Sequence, residues 1–385
     1  MNQKNSRPVG QPALEAICNA PPRPRVGVSL RAALFRLTLC GLALAGIPLG
    51  LCSAARAVAA EPGLERFEST RPQMGVPFKI LLYAPDSAAA NLAFEAAFSR
   101  VEALNRVLSD YDSDSELSRL SRSAPTSQGV PISEPLWTVL ARSQTLAAQT
   151  SGAFDVTVGP YVRLWRRARR SGEMPAPERL AEARSAVGYQ FLKLDARART
   201  AQLLRPNMRL DLGGIAMGYA VDETLKLLRE RGISRALVDA SGDIAVGDPP
   251  PGKRGWTIEV MPLSTDGTPA RRILLSNAAV TTAGDAFQHV VIDGRRYSHI
   301  VDPRTGLGVT DGVGVAVIAR DCLTADSLDT AASVLGPKAA LALIEATPGA
   351  AAFIVRPTDG EPEILESRGF KAFVVPNSET STHER

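Results

Sequence analysis

Asp211-Leu212-Gly213-Gly214-Ile215-Ala216-Met217-Gly218-Tyr219-Ala220-Val221-Asp222 is the stretch on which the reading of this sequence turns. The alternating residues before it, Met208 to Leu212, predict a strand. The apolar spacing after it (Ala220, Thr224, Leu225, Leu227, Leu228) predicts a helix that stops at Gly232. Strand, glycine turn and helix start is a geometry in which bare backbone N–H groups can meet an anion. It also sets Asp211 at a strand end beside the turn. The stretch therefore reads as one wall of a nucleotide pyrophosphate site. A plain strand-to-helix connection with two glycines would look the same locally, so the rest of the chain must decide.

The chain has 385 residues, 45% hydrophobic and 22% charged, which is a globular composition. Its formal net charge of +4 is unevenly placed. Residues 1–60 hold Lys4, Arg7, Arg23, Arg25, Arg31, Arg36 and Arg56 against Glu15 alone, so the remainder is slightly acidic. The basic character belongs to that leader, and no nucleic-acid partner is indicated. Within the leader, Arg31 and Arg36 precede an uncharged run from Leu37 to Ala55. Ala57-Val58-Ala59 follows as a small-residue cleavage site. The expectation is an exported, periplasmic protein, with inner-membrane association if the leader stays uncleaved or is lipidated. Cys40 and Cys52 each follow a leucine, a poor lipidation context. Once the leader is removed only Cys322 remains, so the mature chain has no disulfide and a single buried thiol.

The expected organisation is a leader over 1–60, one domain over 61–375 and a loose tail over 376–385. Residues 61–75 read as a lead-in, and Phe78 to Leu82 as the first strand. A helix follows from about Asp86, then a short capped helix at Ser115 to Leu120 and an amphipathic helix from Pro135 to Thr150. The basic run Arg163, Arg166, Arg167, Arg169, Arg170 reads as a solvated helix face rather than a phosphate site. Strands are expected at 192–194, 201–204, 235–240, 244–246, 256–260, 279–282 and 313–318. Val290-Val291-Ile292, Asp293-Gly294 and Tyr297 to Val301 predict a hairpin. A helix starting at Thr324, a second near Ala339 to Ala346 and apolar runs at 351–355 and 370–374 complete an α+β fold class.

Two further clusters could carry chemistry. Asp326, Asp329 and Thr330 fall at i, i+3 and i+4, on one helix face, so carboxylate and hydroxyl could share one hard cation. Taken without context, a helix start with Thr324 as cap and acids in the first turn is the simpler account of them. Ser298-His299 with Asp302-Pro303-Arg304-Thr305-Gly306 places one of three histidines at a strand end beside an acid and a base. That histidine could be structural, catalytic or phosphate-contacting.

Five blocks in order resemble the ApbE family of FAD:protein FMN transferases: Ser115-Glu116-Leu117-Ser118, Gly152 to Pro160, Asp211 to Asp222, Ser298 to Gly306 and Asp326 to Thr330. The likeness runs from Met74 to Val355. It implies an α+β flavin-transferase fold of mixed sheets flanked by helices, with the nucleotide in a cleft between two halves. It also implies FAD as substrate, Mg²⁺ as cofactor, an acceptor protein carrying a threonine, and AMP as leaving group. By position, Met74, Tyr111, Ala153, Phe154, Asp155, Asp211, Met217 and Ile300 would contact FAD. Gly214 (through its carbonyl), Asp326, Asp329 and Thr330 would hold the metal. His299 would lie by the scissile phosphates, with Asp302 supporting its turn. Three positions depart from the family pattern: Met217 stands where a lysine is usual, Ser121 where an asparagine is frequent, and Ser241 replaces a glycine. The same site could also serve an FAD pyrophosphatase, releasing FMN and AMP to water, or a flavin-binding protein without turnover.

Overall fold

β1 (Glu65–Gln73) and β2 (Val76–Ala84) open the fold as an antiparallel hairpin in the region read from sequence as a lead-in. The turn is Met74-Gly75, at φ 49° and 84°, the left-handed pair that matches strand twist. The computed structural model describes residues 63–261, 271–284, 288–358 and 360–375. The expected leader and tail lie outside them. Among the described residues no helix is long and apolar enough to cross a membrane.

Three helices come next: α1 (Ser87–Leu108), capped by Asp86 accepting from the Ala89 N–H at 2.8 Å, α2 (Glu116–Arg122), capped by Ser115, and, after the short β3 (Val130–Pro131), α3 (Glu134–Gln149). α4 (Gly159–Ser171), α5 (Pro177–Arg184), and the hairpin β4 (Leu192–Asp195) and β5 (Thr200–Leu203) lead to α6 (Ala216–Glu230). Six strands follow: β6 (Ala236–Ala240), β7 (Asp243–Val246), β8 (Trp256–Val260), β9 (Arg271–Leu275), β10 (Ala278–Ala283) and β11 (His289–Ile292). The chain closes with β12 (Arg295–Ser298), β13 (Gly314–Ala319), α7 (Cys322–Leu335), α8 (Pro337–Glu345), β14 (Ala351–Arg356) and β15 (Glu363–Glu366).

Eight strands form one antiparallel sheet in the order β1-β2-β6-β7-β10-β13-β14-β15. Both faces are covered, so its central strands are apolar on both sides. Phe78, Ile80, Leu82, Val238 and Ala279 face α1 and α6. Leu81, Leu237, Ile244, Ile318 and Phe353 face the β8–β9 hairpin, where Trp256 and Ile258 are buried. A further core joins α2, α3 and α7 to β13 and β14. A satellite core of Tyr161, Trp165, Ile292, Tyr297 and Val301 packs α4 against the β11–β12 hairpin. That hairpin turns at Asp293-Gly294, φ 51° and 74°, as its sequence requires.

Four details differ from the sequence reading. Met208 to Leu212 is extended but has no ladder: its one bridge pairs Arg209 with Val158. The run 370–374 is a 3-10 turn with a bridge to Ile273, not a strand. β9 and β15 were not expected. α7 starts at Cys322 with Asp321 as its cap, not at Thr324.

Candidate functional site: a cleft between α6, α7 and the 299–306 turn

The start of α6 and the second turn of α7 are held face to face. The Gly218 N–H donates to Asp326 Oδ2 at 2.8 Å. In return the Cys322 and Leu323 N–H groups, at the start of α7, donate to the Asp222 carboxylate, each at 2.8 Å. Each helix thus satisfies first-turn donors of the other, a use of the positive ends of both helix dipoles. The approach is close because Gly218 has no side chain. A Cβ there would lie 2.4 Å from the Cys322 carbonyl oxygen. Ile215 and Ala216 N–H groups bond the Leu212 carbonyl, and the Gly213 N–H bonds Asp211 Oδ1 at 2.9 Å. The expectation of a bare row of N–H groups is therefore corrected: most of this turn's donors already have partners within the chain.

Gly214 faces Thr330 across the same gap. A Cβ on Gly214 would sit 2.6 Å from Thr330 Oγ1, so only glycine admits this approach. Asp326 and Asp329 are buried in the body of α7, which excludes the helix-start account of them. Asp243, at the start of β7, joins them. Burial pushes all three carboxyls well above the usual carboxylate range, and their mutual repulsion adds to it. Among the described residues no arginine or lysine is among the groups that set their ionisation.

A cleft of about 660 Å³ opens over these groups. It brings together Met74, Tyr111, Ala153, Phe154, Asp155, Asp211, Gly214, Met217, His299, Ile300, Asp326, Asp329 and Thr330. Asp302 is not in its wall. It stands one turn behind His299, accepting from the Arg304 N–H at 2.9 Å and from the Arg304 guanidinium in bidentate fashion. The turn is pinned from below: Gly306 (φ 76°) packs on the Tyr161 ring and its carbonyl accepts from Trp165 Nε1 at 2.8 Å. His299 Nδ1 lies 3.0 Å from the Gln288 carbonyl oxygen. A carbonyl only accepts, so in the neutral ring the proton is on Nδ1 and the basic lone pair on Nε2.

At the other end of the cleft, Tyr111 is 77% exposed, with the Arg166 guanidinium 4.0 Å from its ring centre. Arg166 also bonds Asp110 and, at 3.0 Å, Asp211 Oδ2. Burial raises the Asp211 carboxyl to about 6, Asp110 adds to the rise, and Arg166 opposes it. Arg166 and Asp243 are cleft residues that the sequence reading missed. The basic run gave Arg166 a solvated face, whereas only Arg163, Arg167 and Arg170 fit that description. Of the family departures, Ser121 accepts from the Leu210 N–H at 3.0 Å and so tethers the extended segment that carries Asp211. Ser241 holds φ 57°, a conformation that glycine adopts at less cost.

Residues 74–354 match the model of the ApbE family. This chain belongs to the ApbE family. The FAD:protein FMN transferase of Vibrio cholerae is 31% identical over 82% of this chain and 94% of its own length. That of Salmonella typhimurium is 28% identical over 90% and 98%. Among solved structures, the flavin transferase ApbE of Vibrio cholerae superposes with a TM-score of 0.74 at 30% identity, covering 81% of this chain and all of the other. The apo flavinyl transferase ApbE of Pseudomonas stutzeri gives 0.72 at 29% identity over 80% and 96%. The α+β flavin-transferase fold expected from the sequence is the fold these structures share.

Proposed function

We propose that this chain is an FAD:protein FMN transferase that binds FAD in the cleft, joins FMN to a threonine hydroxyl of an acceptor protein, and releases AMP. One observation carries this reading. Three separate stretches spread over more than a hundred residues, around Gly214, His299 and Asp326, converge on one wall of a cleft whose other end presents Tyr111, Phe154 and Asp211. The volume suits a large nucleotide, and an exposed tyrosine backed by a guanidinium suits stacking against a flat ring.

Mg²⁺ is the proposed cofactor, with Asp326, Thr330 and the carbonyl of Gly214 as its ligands and Asp329 alongside. The donor chemistry fits. Carboxylate, hydroxyl and backbone carbonyl oxygens together are the mixed oxygen set that a reluctantly dehydrating cation accepts. Three buried, mutually repelling carboxyls beside a Gly214–Thr330 contact that a single methyl would close are also the setting a divalent cation would stabilise. Bound there, the cation would withdraw negative charge from the diphosphate oxygens.

The chain's own groups then do the rest. The new bond joins the threonine oxygen to the FMN phosphorus, and the bond to the AMP phosphate breaks. His299 Nε2 takes the hydroxyl proton. Asp302 holds Arg304 and the turn, and so orients His299 without touching substrate. Met74, Ala153, Phe154, Met217 and Ile300 supply the apolar walls. The leader supports export to the periplasm, and membrane-surface association if it is retained.

The test is incubation of purified protein with FAD, Mg²⁺ and a threonine-bearing acceptor, read as flavin fluorescence of the acceptor on a denaturing gel. A fluorescent acceptor band is expected. AMP release with no labelled acceptor would assign the site to hydrolysis instead, and intact FAD would rule out both.

A further inference from the structure

A second cleft adjoins the first. It measures about 470 Å³, and Asp155 and Pro303 line both. Its walls are the left-handed Ser151-Gly152 corner after α3, the 188–191 turn before β4, and three arginines: Arg184, Arg205 and Arg304. Among the described residues the only acid in its lining is Asp155, whose carboxylate is turned into the protein. It accepts from the Thr157 N–H at 2.8 Å and Oγ1 at 2.7 Å, and from the Tyr189 backbone. Arg304 is neutralised by Asp302. Arg184 and Arg205 have no carboxylate partner among the described residues. Arg205 is steadied instead over the Phe191 ring, 4.6 Å from its centre. The cleft therefore carries an uncompensated double positive charge.

Its position gives that charge a use. Pro303 and Arg304 belong to the turn that carries His299 and Asp302, so a chain lying in this cleft runs against that turn. Nothing in the transfer of FMN employs Arg184 or Arg205, yet the reaction has a second substrate, a protein segment, that must reach His299. We propose that this cleft docks the acceptor, by binding acidic side chains that flank the hydroxyl to be modified. The proposal rests on the transferase reading above. Matched charge of this kind raises encounter rate and selects among partners, and arginine forks suit carboxylates.

The test uses FAD-loaded full-length protein and a short fluorescein-labelled peptide carrying one threonine flanked by aspartates, with a lysine-flanked twin as control. Binding is read by fluorescence anisotropy in wild type, Arg184→Glu, Arg205→Glu and the double variant. Both side chains are exposed, and Arg184→Gln with Arg205→Gln provides a milder pair. The aspartate peptide should bind wild type, lose affinity as salt rises, and bind the double charge reversal at least roughly tenfold more weakly. Quenching of flavin fluorescence and AMP release from FAD should not change. Equal binding of both peptides, insensitivity to charge reversal, or displacement of the peptide by FAD would each overturn the proposal. The AMP readout reports the transferase assignment and the peptide readout reports the docking cleft, so each can fail without the other.

Discussion

Replacing Gly214 by alanine adds one methyl group where α6 faces α7. The backbone at Gly214 is not left-handed, so alanine is conformationally admissible and the effect is one of space. The added Cβ would meet Thr330 Oγ1 at 2.6 Å, Cγ2 at 2.8 Å and Cβ at 3.0 Å. Threonine is branched at Cβ, so turning its side chain exchanges one clash for another. Either α6 or α7 must move by several tenths of an ångström. Overpacking of this kind costs about 1–3 kcal/mol, a fall in Tm of roughly 1–2 °C per kcal/mol for a domain of this size. The functional loss should exceed the loss of stability. A displacement of about 1 Å at a reacting centre can lower turnover by roughly 10²-fold. The measurements are urea unfolding and AMP release from FAD at saturating Mg²⁺. The double variant Gly214→Ala/Thr330→Ala removes the two nearest obstructing atoms, Oγ1 and Cγ2, and should recover most of the stability but none of the turnover. A Gly214→Ala protein as stable and as active as wild type would refute the reasoning, because the two helices could not then be in contact at this point.

Arg166→Ala leaves Asp110 and Asp211 facing each other without their shared cation. It should cost roughly 3 kcal/mol by urea unfolding and weaken FAD binding by flavin-fluorescence quenching, with Arg166→Lys restoring stability only in part because one ammonium replaces a fork. Asp211 holds its proton up to about pH 6 when folded, against 3.8 in the unfolded chain. The folded state therefore binds more protons between about 4 and 6, and stability should decline as pH rises through that window. Asp211→Asn should flatten that part of the urea-midpoint profile. Asp222, raised by burial to about 7, should extend the decline toward neutrality. His299→Ala should lower AMP release by roughly 10²–10⁴-fold while FAD affinity stays within a few-fold of wild type by the same quenching assay.

Much of this architecture is local enough to be read from residues. Asp86 and Ser115 announce helix starts because their side chains cap them, and Asp293-Gly294 announces a hairpin because both residues accept φ above zero. What escaped needs tertiary partners. β1 alternates charged residues (Glu65, Arg66, Glu68, Arg71) on an edge strand, so no apolar pattern marks it. Met208 to Leu212 has strand periodicity, but its neighbours offer a single bridge and a Ser121 hydrogen bond in place of a ladder. Asp326 reads as a first-turn acid when Thr324 is taken as the cap; the actual cap, Asp321, lies three residues earlier, and two good cap residues in one stretch leave the start to be set by tertiary contacts. Arg166 could not be separated from the arginines around it. Its role is set by Asp110, 56 residues away, and by Asp211, 45 residues further on. The three carboxyls of the cleft were legible only in part. Asp326 and Asp329 share a helix face, whereas Asp243 reaches them through the sheet.

In the proposed function Gly214, Asp326 and Thr330 would hold one divalent cation against the diphosphate of FAD. Mn²⁺, which accepts the same oxygen ligands as Mg²⁺, makes this directly measurable by electron paramagnetic resonance of the free ion. With FAD present the wild-type protein should remove one Mn²⁺ per chain from solution, and Asp326→Ala and Thr330→Ala should each lose most of that binding while keeping their fold. Undiminished Mn²⁺ binding in both variants, or none in the wild-type protein at any FAD concentration, would contradict it.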